Sequence, residues 1–361
     1  MPSNHDLGVL RYRLRAARAG HPLVITTSGS TEQPKRVALS WQAMHAAAQA
    51  SAAAIGAGNW LLALPTEYVA GAMVDVRAQS ARAKTRVWGD ESFVAAAAQL
   101  SAPKYVSLVP AQLRDLLDQP AAAEALATFA AVLVGGQRLA PALRAQAEAA
   151  GVRMVATYGS TETCGGCVYD DRPLPGVELR VDENGRLFIS GSMLAEGYLT
   201  ESGELDAERT ARSFVEIDGR RWLRTDDRAV LHHDADGVRL EVIGRIDDVI
   251  ISGGLKLDLA EVQRFLDVEL GAERAVAVAV DGTRWGQSLG VWCEGAVPEH
   301  LSAQLIEQFG PAAHPVLAAG SIPRLSSGKA DRLALARALH DRAAELGLLD
   351  PDSAHTLDGD E

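Results

Sequence analysis

The chain has 361 residues, 47% hydrophobic and 23% charged, a balance that suits a globular protein with a sizeable core and room for two domains. Its 35 Lys and Arg against 47 Asp and Glu leave a net charge of −12, which excludes nucleic acid as a partner and obliges any nucleotide site to build positive potential locally. Three cysteines are too few for a disulfide framework, and the sequence has neither an apolar leader nor a run of membrane length, so a cytoplasmic protein with no integral membrane segment is expected.

In chain order, HPLVITTSGS reads as a buried strand entering a polar loop, and RVALS as a second short strand. Ser40 is an N-cap for the helix WQAMHAAAQASAAAI, and Gly56 ends it. NWLLALP, KYVSLVP, AAVLVGG and VRMVATYG follow as strands, separated by the helical stretches SFVAAAAQL, PAQLRDLLDQ and APALRAQAEAAG. Strand and helix in alternation predict a largely parallel α/β sheet. After about Pro173 the pattern changes to β-meanders, with Asn184-Gly185 as a hairpin signal. From Val249 a compact α+β segment follows, with the helix LAEVQRFLDVEL, the strands AVAVAVD and SLGVWCEG and a last helix near ADRLALARALHDRAAEL. The expected division is 1–246, 247–345 and an acidic tail 346–361, with a hinge near 245–248.

Four segments carry chemistry. Thr27-Ser28-Gly29-Ser30-Thr31-Glu32-Gln33-Pro34-Lys35 sets small hydroxyls and a glycine between two strands, so several N–H groups can face one anion while Lys35 adds a point charge. It is not a Walker loop, and a polar surface turn has the same composition. Tyr158-Gly159-Ser160-Thr161-Glu162-Thr163 ends a strand, where ligands of open α/β sheets bind, and Glu162 suits Mg²⁺, although a capping box reads the same way. In Arg224-Thr225-Asp226-Asp227 and Gly244-Arg245-Ile246-Asp247-Asp248, the carboxylates suit ribose hydroxyls and Arg245 suits a phosphate; a solvated charge cluster is the alternative. Ser326-Ser327-Gly328-Lys329 places a lysine on a glycine-flanked turn, where it is either a mobile catalytic group or a surface lysine.

As an ordered series, from about Leu23 to Arg332, these segments resemble the ANL superfamily of adenylating enzymes, which holds acyl-CoA synthetases, nonribosomal adenylation domains and luciferases. TSGSTEQPK is similar to its phosphate loop, YGSTE to its nucleotide and Mg²⁺ segment, GRLFISGSMLAEGYL to its Gly-Tyr segment and LRTDD to its ribose-binding segment. GRIDDVIISGGLKLDLAEV is similar to its hinge, and SSGKADR to its catalytic-lysine segment. TETCGGCVYD, LPTEYVAGAMVDVRA and the short N-terminus look like the o-succinylbenzoate–CoA ligases of actinobacterial type, which act in menaquinone synthesis.

The resemblance implies a large N-terminal α/β domain, with parallel-rich sheets flanked by helices and a β-meander subdomain, and a small mobile α+β C-terminal domain. It implies ATP, Mg²⁺ and coenzyme A, with o-succinylbenzoate as the acid. Thr27, Ser28, Gly29, Ser30, Thr31 and Lys35 would hold the phosphates of ATP. Gly136, Gln137, Tyr158 and Gly159 would line the nucleotide, and Asp227 and Arg245 would take the ribose. Lys329, Thr161 and Glu162 would be catalytic, Glu162 as the Mg²⁺ ligand. The small domain would turn about Asp247, bringing Gly253, Gly254 and Lys256 to a channel for CoA. Tyr68, Arg77, Gly135 and Gly166 would line the acid pocket, with Arg77 against the carboxylate that does not react. A homodimer is one assembly open to such a chain.

Two residues depart from the family pattern. Glu32 stands where the loop usually has glycine, so Glu32→Gly is expected to tighten ATP binding. Tyr68 replaces a common histidine. Cys164-Gly165-Gly166-Cys167 invites a zinc reading, but zinc needs about four ligands and packing of small thiols fits better. Another acid as substrate, or a member that binds nucleotide without turnover, are the rival functions.

Overall fold

The computed structural model describes residues 2–27, 34–272, 274–325 and 329–350. Helix α1 (Asn4–Arg18) leads into β1 (Leu23–Thr26) and β2 (Arg36–Leu39), then α2 (Trp41–Ile55), β3 (Asn59–Leu62), α3 (Val69–Ser80) and β4 (Thr85–Val87). Next come α4 (Phe93–Ala98), β5 (Lys104–Leu108), α5 (Pro110–Leu117), α6 (Pro120–Ala127), β6 (Ala131–Val134), α7 (Pro141–Ala149), β7 (Met154–Ser160), β8 (Gly165–Tyr169) and β9 (Arg172–Pro173). β10 (Glu178–Val181), β11 (Arg186–Ser190), β12 (Gly197–Leu199), α8 (Ala207–Ser213), β13 (Phe214–Ile217), β14 (Arg220–Asp234) and β15 (Gly237–Arg245) follow. The chain ends in β16 (Val249–Ser252), β17 (Leu255–Asp258), α9 (Leu259–Glu269), β18 (Ala275–Thr283), β19 (Gly286–Glu294), α10 (Leu301–Phe309), β20 (Val316–Gly320) and α11 (Arg332–Glu345).

These elements form two units. One holds the described residues up to Thr225 together with Ala229–Glu241; the other holds Asp226–Arg228 and the described residues from Val242. In the first unit a seven-stranded sheet has the order β4-β3-β5-β6-β7-β8-β9, parallel from β4 to β7 and antiparallel beyond. The parallel strands are apolar runs because helices cover both faces. On one side Leu61, Val106, Leu108, Val132 and Val134 pack against Phe93, Leu113, Leu116, Leu126, Leu143 and Ala147 of α4 to α7. The alanine-rich α2 runs from Ser40, whose hydroxyl accepts the Ala43 N–H, to Gly56 at φ 92°, which bounds the expected helix at both ends. A small sheet β1-β2-β12 and an antiparallel one of β10, β11, β13, β14 and β15 complete the unit. The expected Asn184-Gly185 hairpin turns on the longer loop 182–185, because the Asp182 carboxylate accepts the N–H groups of Asn184 and Arg186.

In the second unit the strand AVAVAV separates two cores by its alternation. Ala275 and Ala277 face Val262 and Leu266 of α9, while Val278 and Val280 face Leu335 and Leu339 of α11. The sheet order is β17-β16-β19-β18, with β20 parallel to β19. No described helix is long and apolar enough to cross a membrane.

Candidate active site

The neck of the Ser/Thr loop is tied shut. Beyond the last β1–β2 pair, Thr26 with Arg36, the Thr27 N–H donates to the Lys35 carbonyl at 2.8 Å and the Lys35 N–H donates to Thr27 Oγ1 at 3.1 Å. Ser28, Gly29, Ser30, Thr31 and Glu32 lie outside the described residues, as do Ser326, Ser327 and Gly328. On its other edge β2 pairs with β12, so that Val37 faces Tyr198.

The YGSTET segment is the end of β7 and a tight turn into β8, not the start of a helix, so the capping-box alternative fails. Two contacts make the turn. Thr163, wholly buried, accepts the Ser160 N–H through Oγ1 and donates to the Gly165 carbonyl at 2.7 Å. Gly159 must be glycine, since a Cβ there would meet the Gly165 carbonyl oxygen at 2.1 Å. Gly135 closes on the same strand, where a Cβ would lie 2.2 Å from Thr157 Oγ1, and Gly136 follows at φ 84°. Tyr158 and Gln137 are both engaged in contacts of their own.

Glu162, half-buried in that turn next to Thr161, is held at both ends of the residue. Its carbonyl accepts the Ala195 N–H at 2.8 Å, and its carboxylate Oε1 accepts the Tyr198 hydroxyl at 2.9 Å. Mg²⁺ takes one or two carboxylates plus phosphate oxygens and keeps several waters. No group of three or more metal-ligating side chains occurs among the described residues. One held carboxylate with a second oxygen to spare therefore fits an ion delivered with a polyphosphate, rather than one caged by the protein. Cys164 and Cys167 are fully buried, burial pushes both thiols up, Cys167 to about 12, and neither belongs to a group of three or more metal-ligating side chains among the described residues.

Helix α3 carries a cation where a surface arginine would be the ordinary expectation. Arg77 is 8% exposed. Its Nη2 donates to the Tyr169 hydroxyl at 3.5 Å, its guanidinium lies 5.2 Å from the Trp60 ring centroid, and its Nε has no hydrogen-bond partner. A Cβ on Gly165 would come within 3.9 Å of the same Nη2. Tyr169 in turn meets Ser51 Oγ at 2.9 Å. By contrast Asp75, two residues earlier, is fully buried and fully answered, by Arg11 at 2.9 Å, Thr85 at 2.7 Å and Gln79 at 2.5 Å. Tyr68 stands directly before α3 without capping it, and α3 begins hard against the chain at Gly71, whose Cβ would meet the Pro65 carbonyl at 2.1 Å. Gly166 shares Thr157 with Gly135, a Cβ on it lying 3.1 Å from Thr157 Cβ. A cleft of about 330 Å³ between the α2 alanines and Leu174–Val177 includes Gly166 but not Tyr68, Arg77 or Gly135, so its lining does not make it the acid site.

In the second unit Arg245 closes a fork on Asp247, Nε at 2.8 Å and Nη2 at 2.7 Å, with Asp226 at 3.8 Å. Burial alone would lower the Arg245 pKa, but Asp247 and then Asp227 and Asp226 outweigh it and raise it. Lys329 shares these neighbours. Its surface meets solvent, yet the surrounding protein removes enough water to lower the ammonium pKa; the Arg245 cation lowers it further and Asp227 opposes. Asp248 is bound by Arg332 at 3.2 Å, and Asp258 by Arg228. Gly253 and Gly254, at φ 56° and 81°, form the β16–β17 turn, with Lys256 exposed beyond it. Tyr198 and Tyr169, which hold Glu162 and Arg77, lie in the segments GRLFISGSMLAEGYL and TETCGGCVYD, but sequence reasoning assigns neither a role.

The model of the AMP-binding enzyme family matches residues 17–199. A probable 2-succinylbenzoate–CoA ligase of Mycobacterium tuberculosis is 36% identical over 331 residues, covering 87% of this chain and 84% of its own length. The 2-succinylbenzoate–CoA ligase of Salmonella typhimurium is 31% identical over 271 residues, covering 72% and 55%. Among solved structures, Escherichia coli MenE with a bound phenylether-linked analogue of OSB-AMS superposes with a TM-score of 0.67 at 26% identity, over 88% of this chain and 69% of that one. With the matched region spanning both the loop neck and the Glu162 turn, the chain belongs to the AMP-binding enzyme family.

Proposed function

We propose that this protein is a 2-succinylbenzoate–CoA ligase acting in menaquinone biosynthesis, an acid–thiol ligase that works through an acyl-adenylate. The observation that carries the choice of acid is Arg77: a buried guanidinium with an unsatisfied Nε, while Asp75, the other buried charge among the described residues, is fully paired. A substrate with a second carboxylate supplies the missing acceptor. The names of the relatives favour the same acid.

In this reading the succinyl carboxylate attacks the α-phosphorus of ATP, an acyl–O–P bond forms, and pyrophosphate leaves. Charge grows on the phosphoryl oxygens, so the protein's part is positioning and electrostatic stabilisation. Lys329 neutralises the oxygens at the reacting phosphorus. Lys35 and the loop it closes, 28–34, take the β- and γ-phosphates; Thr161 donates near the α-phosphate; Glu162 would hold Mg²⁺, which supplies charge neutralisation between the phosphates. Asp227 accepts from the ribose hydroxyls beside Arg245. Gly135, Gly136, Gln137, Tyr158 and Gly159 offer backbone and ring surface to adenine and acyl group. The segment 247–345 then turns about Asp247, and the Gly253-Gly254 turn and Lys256 serve the CoA thiolate, which attacks the acyl carbonyl and expels AMP. Three free, buried cysteines suit the cytoplasm, where ATP and CoA are found. Light scattering after size exclusion checks for the homodimer.

Acid-dependent ATP–pyrophosphate exchange, run with 2-succinylbenzoate against a panel of acids and followed by CoA transfer, is the test. Exchange with 2-succinylbenzoate and thioester formation are expected. Exchange with a different acid alone refutes the substrate, and exchange with none refutes the enzyme.

A further inference from the structure

The segment 195–198 touches Glu162 twice, at its backbone through the Ala195 N–H and at its carboxylate through the Tyr198 hydroxyl. The same segment is fixed from three other directions. Its strand β12 pairs with β2, Tyr198 against Val37 and Leu199 against Arg36, one residue from the Thr27–Lys35 tie that closes the phosphate loop. The Tyr198 N–H donates to Thr210 Oγ1 at 3.0 Å, and Arg221 donates to the carbonyls of Ala195 and Glu196 at 2.7 and 2.8 Å. Tyr198 is only 3% exposed, and its ring lies 5.9 Å from that of Phe214. Of this pair only the phenol carries a hydrogen to give, so the Tyr198 hydroxyl is the donor and the Glu162 carboxylate the acceptor. A buried phenol normally finds some partner, and a main-chain carbonyl would satisfy it as well. This one is aimed instead at a carboxylate in an otherwise polar turn.

We propose that Tyr198 is a positioning residue for adenylation: its O–H holds one oxygen of the Glu162 carboxylate and leaves the other to serve the divalent cation that accompanies ATP. The inference rests on the reading of Glu162 as the ligand of that cation. It makes segment 195–198 the splint that keeps Glu162 in register with β2, the strand that follows the neck of the phosphate loop, since one short stretch is bonded to both. Partners that orient a metal ligand commonly contribute about 10–100-fold to metal affinity.

The experiment uses the full chain and titrates Mn²⁺–ATP, followed by EPR, without any acid present so that no turnover occurs. Tyr198→Phe is expected to weaken Mn²⁺–ATP about tenfold while leaving Tm within a few degrees, because the ring and its packing remain. In steady state the same variant is expected to raise KM for Mg²⁺–ATP more than it lowers kcat. Glu162→Gln should weaken Mn²⁺–ATP at least as much, and adding Tyr198→Phe to it should cost nothing more. An unchanged affinity in Tyr198→Phe, with Glu162→Gln weakened, overturns the role of Tyr198 and leaves that of Glu162 standing. An unchanged affinity in Glu162→Gln overturns both. Full additivity in the double variant also overturns it, since Tyr198 would then act elsewhere. Should Tyr198→Phe fail to fold, Glu162→Asp draws the carboxylate away from the phenol; a similar loss is expected, and an unaltered affinity refutes the contact.

Discussion

Arg77→Met separates a binding arginine from a structural one, because one reading predicts a loss in substrate preference and the other a loss in stability. The guanidinium is 8% exposed, its Nε is unsatisfied, and its polar contact is a 3.5 Å bond to Tyr169. An unsatisfied buried donor costs roughly 1–3 kcal/mol, against roughly 0.5 kcal/mol returned by one long hydrogen bond and about 2 kcal/mol by a desolvated cation–π contact such as that with Trp60. Methionine fills similar space without charge. These terms about cancel, so the substitution is expected to leave stability within about 1 kcal/mol, some 2–4 °C in Tm for a unit of this size. Against the substrate the effect is a clear loss. Removing one partner of a buried charge pair costs about 2–5 kcal/mol, and 3 kcal/mol is on the order of a 100-fold loss in kcat/KM. ATP–pyrophosphate exchange with 2-succinylbenzoate and with 4-oxo-4-phenylbutanoate, which lacks the aromatic carboxylate, measures it: the variant should lose its preference for the diacid. A lower Tm with the preference intact would show that Arg77 supports the fold and does not bind the acid.

Gly159→Ala places a methyl group 2.1 Å from the Gly165 carbonyl, a clash that only strand separation relieves, so a loss of more than about 3 kcal/mol is expected by thermal denaturation, together with loss of exchange activity. The lowered Lys329 pKa gives an alkaline limb: the charged amine is present below that pKa and lost as pH rises through it, so kcat/KM for ATP falls at a pH beneath the ordinary lysine value of about 10.4. Arg245→Gln removes the neighbouring cation and should move that limb upward; a limb that stays put refutes the coupling. Cys164 and Cys167 should resist thiol reagents at pH 8 in the native protein and react after denaturation, since burial holds both as thiols; fast native labelling would contradict the packing described for them.

The fold was legible where local rules and burial agree. The helix from Ser40 to Gly56 has a cap at each end and small residues throughout, and nothing in the tertiary structure opposes it. The strands of the parallel sheet were legible because burial on both faces makes them continuous apolar runs. Helix α1 was not, although Ser3 and Asp6 cap it and Leu7, Leu10, Leu14 and Ala17 share one face; the arginines beside that face mask it, and one of them, Arg11, is a partner for Asp75 of α3. The Asn184-Gly185 signal marked the hairpin but not its length, which Asp182 sets by binding two N–H groups.

The candidate site divides along a different line. Glu162, Asp227, Arg245 and Lys329 stand out in the sequence because charged groups in an ordered series of turns are hard to explain otherwise. Residues that act through a partner leave no such trace. Tyr198 and Tyr169 have the composition of core positions, and the hydroxyl that distinguishes each from phenylalanine meets its partner 36 residues away at Glu162 and 118 residues away at Ser51. Arg77 is the converse case. Its neighbours in α3 are apolar, so the sequence places a charge among buried residues, but the sequence cannot say whether an acid of the protein meets it. Asp75 is the nearest acid in the sequence, two residues away, but helical geometry sends the two side chains to different faces. Asp75 is taken by Arg11, Gln79 and Thr85. The charge left over on Arg77 thus follows from the pairing of another residue, and it is why we propose this helical arginine as the group that meets the second carboxylate of the substrate.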